Sequence, residues 1–581
     1  MVLRAFMGAF AAALCLLAAT SSDAEPTDAI ARACAGDASS PQCRDALRDE
    51  SFVSAQLAAF DETAAAMARV GARAAARSDA LGDAARDTEM LQRRRQALSE
   101  ELASFKSRGI AGREADTVAE RLRVTDQDLD AQGVSLRKTF PEYAEMITPR
   151  PVSRAEAQAL LRDDEVLVLF SRPGSSVFVW AITRNEAKWA RLPLTERALG
   201  QRILGFRRHL DSTAGCMDPQ ANIASPGGPT AGVDFDLGLS NALYNDLFGP
   251  VRTLVEGKRS VILVPHGALM SLPFAALSMR APPSPEATPD ILRATRWLGV
   301  SHALSVLPAA SALRALRCPR RDGSGACVAR VRPNGQRRAF AGIGAPRLGG
   351  GGAYADPCAR GLRMSGELAD QQGLAGLAPL AGAESELQQL RTLYGPSSST
   401  LFTGVAATER VVRTTRLDDV EVISFSTHGL LAQEAMTVAG ISEGGLVLTP
   451  PTLQSPPRAP DLLDDGFLTA TEASELRLNA DWVILSACNT AQGGRVGDAA
   501  LSGLARAFFF AGARALLVSQ WPVDDIATER LMVEALRRNK GGVPRGEALR
   551  AAMEAILNDR ADDRFAHPSA WAPFILVGDG G

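Results

Sequence analysis

The sequence of 581 residues lacks an excess of either charge: 63 basic and 66 acidic side chains give a net charge of −3. It has neither a basic stripe nor an acidic tail, which argues against nucleic acid as a partner. It also lacks a Cys-x-x-Cys pair and any histidine at zinc-finger spacing from a cysteine pair, so a structural zinc site is disfavoured. The hydrophobic content of 46% still suffices for two or three domains with substantial cores.

No stretch after the first twenty residues is apolar over the length of a membrane span. Arg4 precedes an apolar run at residues 5–20, and small residues follow at Ser22 and Ala24, as before a signal-peptide cleavage site. Residues 1–24 are therefore predicted to be a secretory signal peptide, which implies a periplasmic or secreted protein with no membrane span after cleavage. The alternatives are a buried N-terminal helix and a membrane anchor. The run is short for a span, and no stop-transfer flank follows it.

Cysteines are few, at eight, and Cys15 would leave with the signal peptide. In an oxidising compartment the other seven are expected to pair, with one thiol left over. The simplest scheme has three disulfides: Cys34 with Cys43, Cys318 with Cys327, and Cys216 with Cys358. It leaves Cys488 as the odd and reactive thiol, although the connectivity cannot be read from the sequence.

Proline is almost absent from residues 25–140, where apolar residues recur at helical spacing, as at Leu98, Leu102 and Phe105. We predict a small α-helical region here, in the form of a helical hairpin or short bundle. The alternative interpretation is a docking module for a protein partner. Three prolines within residues 141–151 then break the pattern and mark a domain boundary.

Residues 141–581 predict an α/β domain, in which a β-hairpin at residues 165–182 comes first. From residue 339 onward, strands and helices alternate. The predicted strands of this part are Ala339–Ile343, Val420–Ser426, Trp482–Ser486, Ala515–Ser519 and Pro573–Val577, and its predicted helices are Gly382–Tyr394, Leu501–Ala511 and Ile526–Arg538. Continuous apolar strands separated by helices are typical of a mostly parallel sheet flanked by helices. Active sites of such sheets lie at the carboxyl ends of the strands.

Two of these strands lead into chemically reactive residues. Val420–Ser426 is followed by His428 and Gly429, and Trp482–Ser486 is followed by Cys488. A thiol nucleophile needs a base that makes the thiolate and later protonates a leaving amine, and imidazole suits both tasks. Each residue also has an ordinary structural interpretation, because free cysteine is often buried and a single histidine after a strand often lies in a core or at its rim.

Eight segments then complete the pattern, in this order: Phe140–Ala144, Val264–Leu277, Leu380–Glu386, Ser426–Gly429, Leu485–Thr490, Gly503–Phe508, Val518–Asp525 and His567–Phe574. Together they resemble a CHAT domain, a bacterial relative of caspases and separases. The resemblance implies a caspase-like α/β fold over residues 141–581, with its catalytic half at about residues 339–581. It further implies that His428 and Cys488 are the catalytic dyad of a cysteine endopeptidase, which acts on protein or peptide substrates and needs no cofactor or metal.

The backbone N–H groups of Gly429 and Cys488 are candidates for the oxyanion hole of such a site. In caspase-like folds the region of Asp524 approaches the substrate pocket, where a carboxylate would favour a basic side chain, while Asp525 is expected to cap the helix that follows. Many members of the family carry tetratricopeptide repeats before this domain and are cytoplasmic, which is not what this sequence predicts. The rival functions are a catalytically silent scaffold or protein-interaction module, and another thiol hydrolase or acyl transferase.

Overall fold

The computed structural model covers the chain in segments. The described residues are 41–58, 91, 94–95, 98, 113–139, 151–171, 176–211, 235–284, 286–318, 320–321, 327–328, 337–350, 368–441, 443–461, 463–486, 503–521 and 525–581. The predicted signal peptide lies outside these residues, as do Cys34, Cys216 and Cys358. Cys488 and Asp524 lie outside them too.

Extended segments run through the described part of the α/β domain. They are β1 (Glu165–Ser171), β2 (Ser176–Ile182), β3 (Ala187–Thr195), β4 (Ser260–Val264), β5 (Ala303–Val306), β6 (Arg320–Arg321), β7 (Cys327–Val328), β8 (Arg338–Pro346), β9 (Ser399–Gly404), β10 (Val420–Ser426), β11 (Gly429–Leu430), β12 (Gly445–Val447), β13 (Phe467–Thr469), β14 (Trp482–Ser486), β15 (Ala515–Ser519) and β16 (Phe574–Gly578).

Helices precede and separate these strands. They are α1 (Pro41–Ala58), α2 (Arg113–Thr139), α3 (Arg154–Leu160), α4 (Glu196–Arg207), α5 (Leu237–Phe248), α6 (Arg252–Glu256), α7 (Pro289–Ala294), α8 (Leu298–Ser301), α9 (Ala312–Arg317), α10 (Gln371–Ala375), α11 (Ala383–Tyr394), α12 (Glu409–Thr414), α13 (Ala432–Val438), α14 (Ala470–Glu475), α15 (Gly503–Ala511), α16 (Asp525–Lys540), α17 (Arg545–Leu557) and α18 (Pro568–Trp571). Short 3-10 turns connect some of them, at Gly249–Val251, Gly267–Ser271, Phe274–Ala276, Pro396–Ser398, Pro451–Leu453 and Asp563–Ala566.

Eleven of the described strands form one large sheet, in the order β3-β2-β1-β4-β5-β16-β15-β14-β10-β8-β9. β2 runs antiparallel to both β1 and β3, and β16 runs antiparallel to β15. Every other pair of neighbours in this order is parallel. The sheet is therefore mostly parallel, as the alternation of strands and helices predicted.

Helices cover the large sheet on both faces. β14 and β15 are buried at every position, and successive side chains of a strand point to opposite faces, so neither face is open to solvent there. Helix α11 packs against β8, β9 and α16, and α15 packs against β15. The predicted fold class, an α/β fold with a mostly parallel sheet flanked by helices, is confirmed.

The strongest apolar runs gave the most accurate strand predictions. β10, β14 and β15 have the predicted bounds, and β1 and β2 form the predicted antiparallel hairpin. β3, β5 and β9 were not predicted. β3 is an edge strand with mostly half-buried or exposed positions, and β9 at the other edge is only half-buried throughout, so neither has a continuous apolar run.

A second, smaller cluster of apolar side chains lies where the chain leaves β10. The short strands β11, β12 and β13 form an antiparallel sheet there. The side chains that pack together with it, which we call the small core, are Leu348, Ala369, Leu374, Leu377, Leu430, Ala435, Ala439, Ile441, Val447 and Phe467. They come from β11–β13, α10, α13 and the adjoining loops, and they are separate from the main core of the large sheet.

One of the three predicted disulfides falls within the described residues. Cys318, directly after α9, is bonded to Cys327 at the start of β7, with a Cα–Cα distance of 4.9 Å. The bond closes the short antiparallel pair of β6 and β7, in which Arg321 lies opposite Cys327. This prediction is confirmed.

The described residues before the α/β domain are helical, as predicted. The buried side chain of Gln56 in α1 donates to the carbonyl of Val152 at 2.8 Å and accepts from the N–H of Val152 at 2.9 Å. Arg154 also forms an ion pair with Asp49 at 2.5 Å. Helix α1 is thus fixed to the beginning of the α/β domain. None of the helices in the described parts of the chain is both long enough and apolar enough to cross a membrane.

The close approach of β8 and β10 gives a first testable prediction. Gly344 of β8 lies in register with Ser426 of β10, and a Cβ atom added at Gly344 would lie 2.1 Å from the Ser426 carbonyl oxygen. We expect Gly344→Ala to force the two strand ends apart and to lower the free energy of unfolding by on the order of 1–3 kcal/mol. Urea unfolding followed by circular dichroism measures this.

Gly205 in α4 is the matched control, because a Cβ atom there meets nothing within 4 Å. Gly205→Ala should be neutral, or stabilising by up to about 1 kcal/mol, since alanine is the better helix former. Equal stability of the two alanine variants would contradict the close packing at Gly344.

Candidate active site

His428 and Cys488 follow two strands that are direct neighbours in the large sheet. β10 and β14 are parallel, and the last residue of one, Ser426, is in register with the last residue of the other, Ser486. His428 and Cys488 each come two residues after these strand ends. The two loops therefore start side by side at the carboxyl edge of the sheet, where open α/β sheets bind their ligands. Cys488 itself lies outside the described residues.

The backbone around His428 is fixed by hydrogen bonds to both neighbouring strands. The N–H of Thr427 donates to the carbonyl of Ser486 at 3.3 Å, and its hydroxyl donates to the carbonyl of Val447 at 2.5 Å. The N–H of Val447 in turn donates to the carbonyl of His428 at 2.9 Å. The chain after β10 is thus held between β14 of the large sheet and β12 of the small one.

The imidazole of His428 is oriented by a backbone carbonyl. Its Nε2 lies 2.7 Å from the carbonyl oxygen of Ala378, and the residue is only 3% exposed. A carbonyl oxygen can only accept, so Nε2 carries a proton. In the neutral ring the lone pair is then on Nδ1, which makes Nδ1 the basic nitrogen.

Ala378 ends a segment that is anchored at its other end by an acidic residue. We call residues 368–378, which include α10, the strap. The N–H of Ala369 donates to Asp465 Oδ2 at 2.8 Å, and the Gln371 side chain donates to the carbonyl of Asp465 at 2.6 Å. Leu374 and Leu377 of the strap belong to the small core. The acceptor for the imidazole therefore depends on a segment outside the large sheet.

Asp465 itself borders a buried acidic group. Glu409 is 1% exposed, and its carboxylate accepts from the N–H of Asp465 at 2.8 Å and from Arg413 at 3.0 Å. Burial, together with the nearby charge of Glu472, raises the pKa of Glu409 to about 8. Burial also raises the pKa of Asp465. The anchor of the strap thus contains a buried carboxyl group whose pKa lies well above its ordinary value.

Gly429 is the one predicted oxyanion donor within the described residues. His428 and Val447 share a ladder hydrogen bond, so the next pair, Gly429 with Leu446, is the non-hydrogen-bonded pair of this antiparallel ladder. The N–H of Gly429 consequently points away from β12. This N–H group therefore makes no hydrogen bond to β12. An oxyanion donor must likewise be available to a substrate oxygen.

Sequence reasoning missed two groups that the structure brings to this edge. One is the carbonyl of Ala378, and the other is the carboxylate of Glu386 in the first turn of α11, which accepts from the Ser486 hydroxyl at 3.0 Å. Glu386 ends one of the eight sequence segments, and that was the only available signal. Among the residues that the structure describes, no three His, Cys, Asp or Glu side chains are grouped as metal ligands.

A protein-family model described as "CHAT domain" matches residues 237–579. The match covers more than half of the chain, which therefore belongs to the CHAT domain family. This confirms the identification made from the order of the eight sequence segments.

Two curated proteins are similar in sequence to part of this chain. Tetratricopeptide repeat protein 28 of Mus musculus is 31% identical over 219 residues, and its Homo sapiens counterpart is 29% identical over 219 residues. Each match covers 34% of this chain but only 9% and 8%, respectively, of the relatives. The chain thus spans less than a tenth of the length of the relatives it matches.

Solved structures give weaker likenesses. Separase in the Saccharomyces cerevisiae separase–securin complex matches 79% of this chain and 34% of its own chain, with 10% identity and a TM-score of 0.39. The Arg-specific cysteine proteinase gingipain R matches 60% of this chain and 68% of its own, with 11% identity and a TM-score of 0.30. Both scores are too low to support a functional argument.

The buried carboxyl at the strap's anchor predicts a pH-dependent stability. Because the pKa of Glu409 is raised from 4.5 to about 8, the folded protein binds a proton that the unfolded chain releases above pH 4.5. Stability should therefore fall as the pH rises from about 5 to about 8, by on the order of 1 kcal/mol per pH unit. We expect Glu409→Gln to reduce this slope, as measured by urea unfolding at pH 5, 6.5 and 8.

Glu475→Gln is the matched control, because Glu475 contacts the same Arg413 but has a side chain that is 60% exposed. It should leave the slope unchanged. Identical pH slopes in the wild type and in Glu409→Gln would contradict the assignment of a buried proton at Glu409.

Proposed function

We propose that the protein is an exported cysteine endopeptidase with Cys488 as its nucleophile and His428 as its general base. The observation that carries the proposal is the hydrogen bond from His428 Nε2 to the Ala378 carbonyl, because it fixes the ring and leaves Nδ1 as the base. The register of Ser426 with Ser486 supports a cysteine loop that starts next to the histidine loop. Membership of the CHAT family, with its resemblance to caspases and separases, supports a peptide bond as the target.

The reaction follows from these assignments. Nδ1 of His428 takes the proton of the Cys488 thiol, and the thiolate attacks the carbonyl carbon of the scissile peptide. The resulting imidazolium gives its proton to the leaving amine as the C–N bond breaks, which leaves a thioester on Cys488. A water molecule then loses a proton to Nδ1 and attacks the thioester. The products are a carboxylic acid and the free thiol.

The oxyanion of both steps would be bound by the N–H groups of Gly429 and Cys488. The support for Gly429 is its position in a non-hydrogen-bonded pair of the small sheet. Asp524 is proposed to lie at the substrate pocket, where its carboxylate would select a basic side chain through a charge-assisted hydrogen bond.

Export and a protein partner complete the proposal. The Cys318–Cys327 disulfide supports an oxidising compartment, since such bonds are rare in the cytosol. Helix α2 presents Val124 and Val134 to solvent, at 40% and 61% exposure, which supports the N-terminal helices as a surface for a protein partner. The two curated relatives are named for tetratricopeptide repeats.

A silent scaffold is the second candidate, and one observation favours it. His428 is almost fully buried and bonded to a backbone carbonyl, as a purely structural histidine would be. His302 provides the comparison within the same molecule. It is 2% exposed, and its Nδ1 lies 2.7 Å from the Lys258 carbonyl.

The two candidates differ in their response to substitution. If the dyad is catalytic, Cys488→Ala should abolish cleavage of a diverse peptide library, and His428→Gln should lower kcat/KM by about 10²–10⁴-fold. His302→Gln, which changes an equally buried histidine, should leave the activity of the folded protein within about twofold. Cleavage is measured by mass spectrometry, and folding by circular dichroism. If the wild type cleaves no peptide and His428→Gln and His302→Gln lose stability alike, the scaffold is correct. Cleavage that persists in His428→Gln would instead refute His428 as the base.

Export predicts a defined redox state. When the full chain is expressed in a Gram-negative host, we expect a periplasmic protein that begins at Glu25, with Cys318–Cys327 oxidised and Cys488 reduced. N-terminal sequencing and alkylation before and after reduction, followed by mass spectrometry, measure both features. A variant that starts at Glu25 without residues 1–24 is the control and should stay in the cytoplasm. Recovery of the full chain in the cytoplasm with all thiols free would overturn the export proposal.

A further inference from the structure

We propose that Glu386 is a positioning residue that couples the loop after β10, which contains His428, to the loop after β14, which contains Cys488. We call these the histidine loop and the cysteine loop. The inference rests on the proposed function of His428 and Cys488. Glu386 is 2% exposed and lies in the first turn of α11, and its Oε2 accepts a hydrogen bond from the Ser486 hydroxyl at 3.0 Å. Ser486 is the last residue of β14, two positions before Cys488.

The same short stretch of chain also contacts His428. The carbonyl of Ala378 accepts from His428 Nε2, and α11 begins only five residues later, at Ala383. Residues 378–386 thus bind the histidine ring at one end and the end of the cysteine-bearing strand at the other. A displacement of this stretch would therefore disturb His428 and the end of β14 together.

Ser486 closes the connection between the two loops. Its hydroxyl is bonded to Glu386, and its carbonyl accepts from the N–H of Thr427, the residue before His428. Ser486 is therefore held through its side chain by α11 and through its backbone by the histidine loop. The hydrogen bond to Glu386 fixes the side-chain rotamer of Ser486, the last residue of β14.

An ionised carboxylate at Glu386 would have a second effect on the dyad. Burial of a carboxylate is costly, and the first turn of a helix is one of the few places where the backbone dipole offsets that cost. A negative charge at this edge favours the imidazolium and disfavours the thiolate. Loss of the charge should therefore lower the pKa of both groups, whereas loss of the hydrogen bond alone should not.

Two variants separate these effects. Glu386→Gln keeps an acceptor for Ser486 and removes the charge, so the pH dependence of Cys488 alkylation and of kcat should move to lower pH. Ser486→Ala removes the hydrogen bond and keeps the charge, so kcat should fall by about ten- to a hundredfold with little change in KM or in the pH profile. Ser486→Thr retains a hydroxyl and should restore much of the loss.

Glu165→Gln is the matched control. Glu165 is also 2% exposed, but it lies on β1 and pairs with Arg317. Its substitution should lower stability and leave the pH profile unchanged. The rate of Cys488 alkylation by iodoacetamide, followed by mass spectrometry of the peptide that contains Cys488, gives a readout that needs no substrate.

The outcomes are distinct for the two proposals. If Glu386→Gln and Ser486→Ala both leave the pH profiles of alkylation and kcat unchanged, the role of Glu386 is overturned. The same holds if the two variants only lose stability, as expected for Glu165→Gln. Shifted alkylation in a protein that cleaves no peptide supports the role of Glu386 and refutes the peptidase.

Discussion

The parallel pairing of β10 with β14 is the constraint on which the rest of the site depends. It brings residues sixty positions apart in the sequence to the same sheet edge, and its register ends both strands at the same level, at Ser426 and Ser486. β8 continues the pairing on the other side, where Gly344 allows the backbone of Ser426 to approach closely. Because all three strands are buried on both faces, a shift of one residue would require the whole sheet to repack.

The large sheet alone does not complete the site. The acceptor for His428 belongs to the strap, and the strap is held by the small core and by Asp465. The oxyanion candidate Gly429 begins a strand of the small sheet. The proposed chemistry therefore requires two separate hydrophobic cores, one that supplies the strand ends and one that orients the base.

The sequence predicted the fold class and the buried strands of the sheet's centre, because both depend on local signals, whereas the catalytic role of His428 stays a prediction. β10, β14 and β15 are unbroken apolar runs, and His428 follows one of them directly. Cys318 and Cys327 are close in the chain, so their pairing was accessible too. The carbonyl of Ala378 was not, since a backbone oxygen has no residue-specific signal.

Glu386 illustrates why the remainder could not be predicted. It pairs with Ser486 across a hundred residues, and an acidic residue in the first turn of an amphipathic helix is usually exposed. The edge strands β3 and β9 were missed for a related reason. Their half-exposed side chains depend on neighbours in the sheet, which the local pattern does not contain.

The division into two cores has a consequence for the tautomeric state of His428, the proposed base. Proteins open in parts, and a small cluster of apolar residues opens at a lower free energy than a large one. If the strap unfolds locally, Nε2 of His428 loses its carbonyl acceptor while the eleven strands of the large sheet remain paired. The ring can then carry its proton on either nitrogen, and only one of these forms can accept the thiol's proton at Nδ1. In the proposed reaction, the fraction of molecules with the required tautomer is thus set by the small core, not by the global stability of the fold.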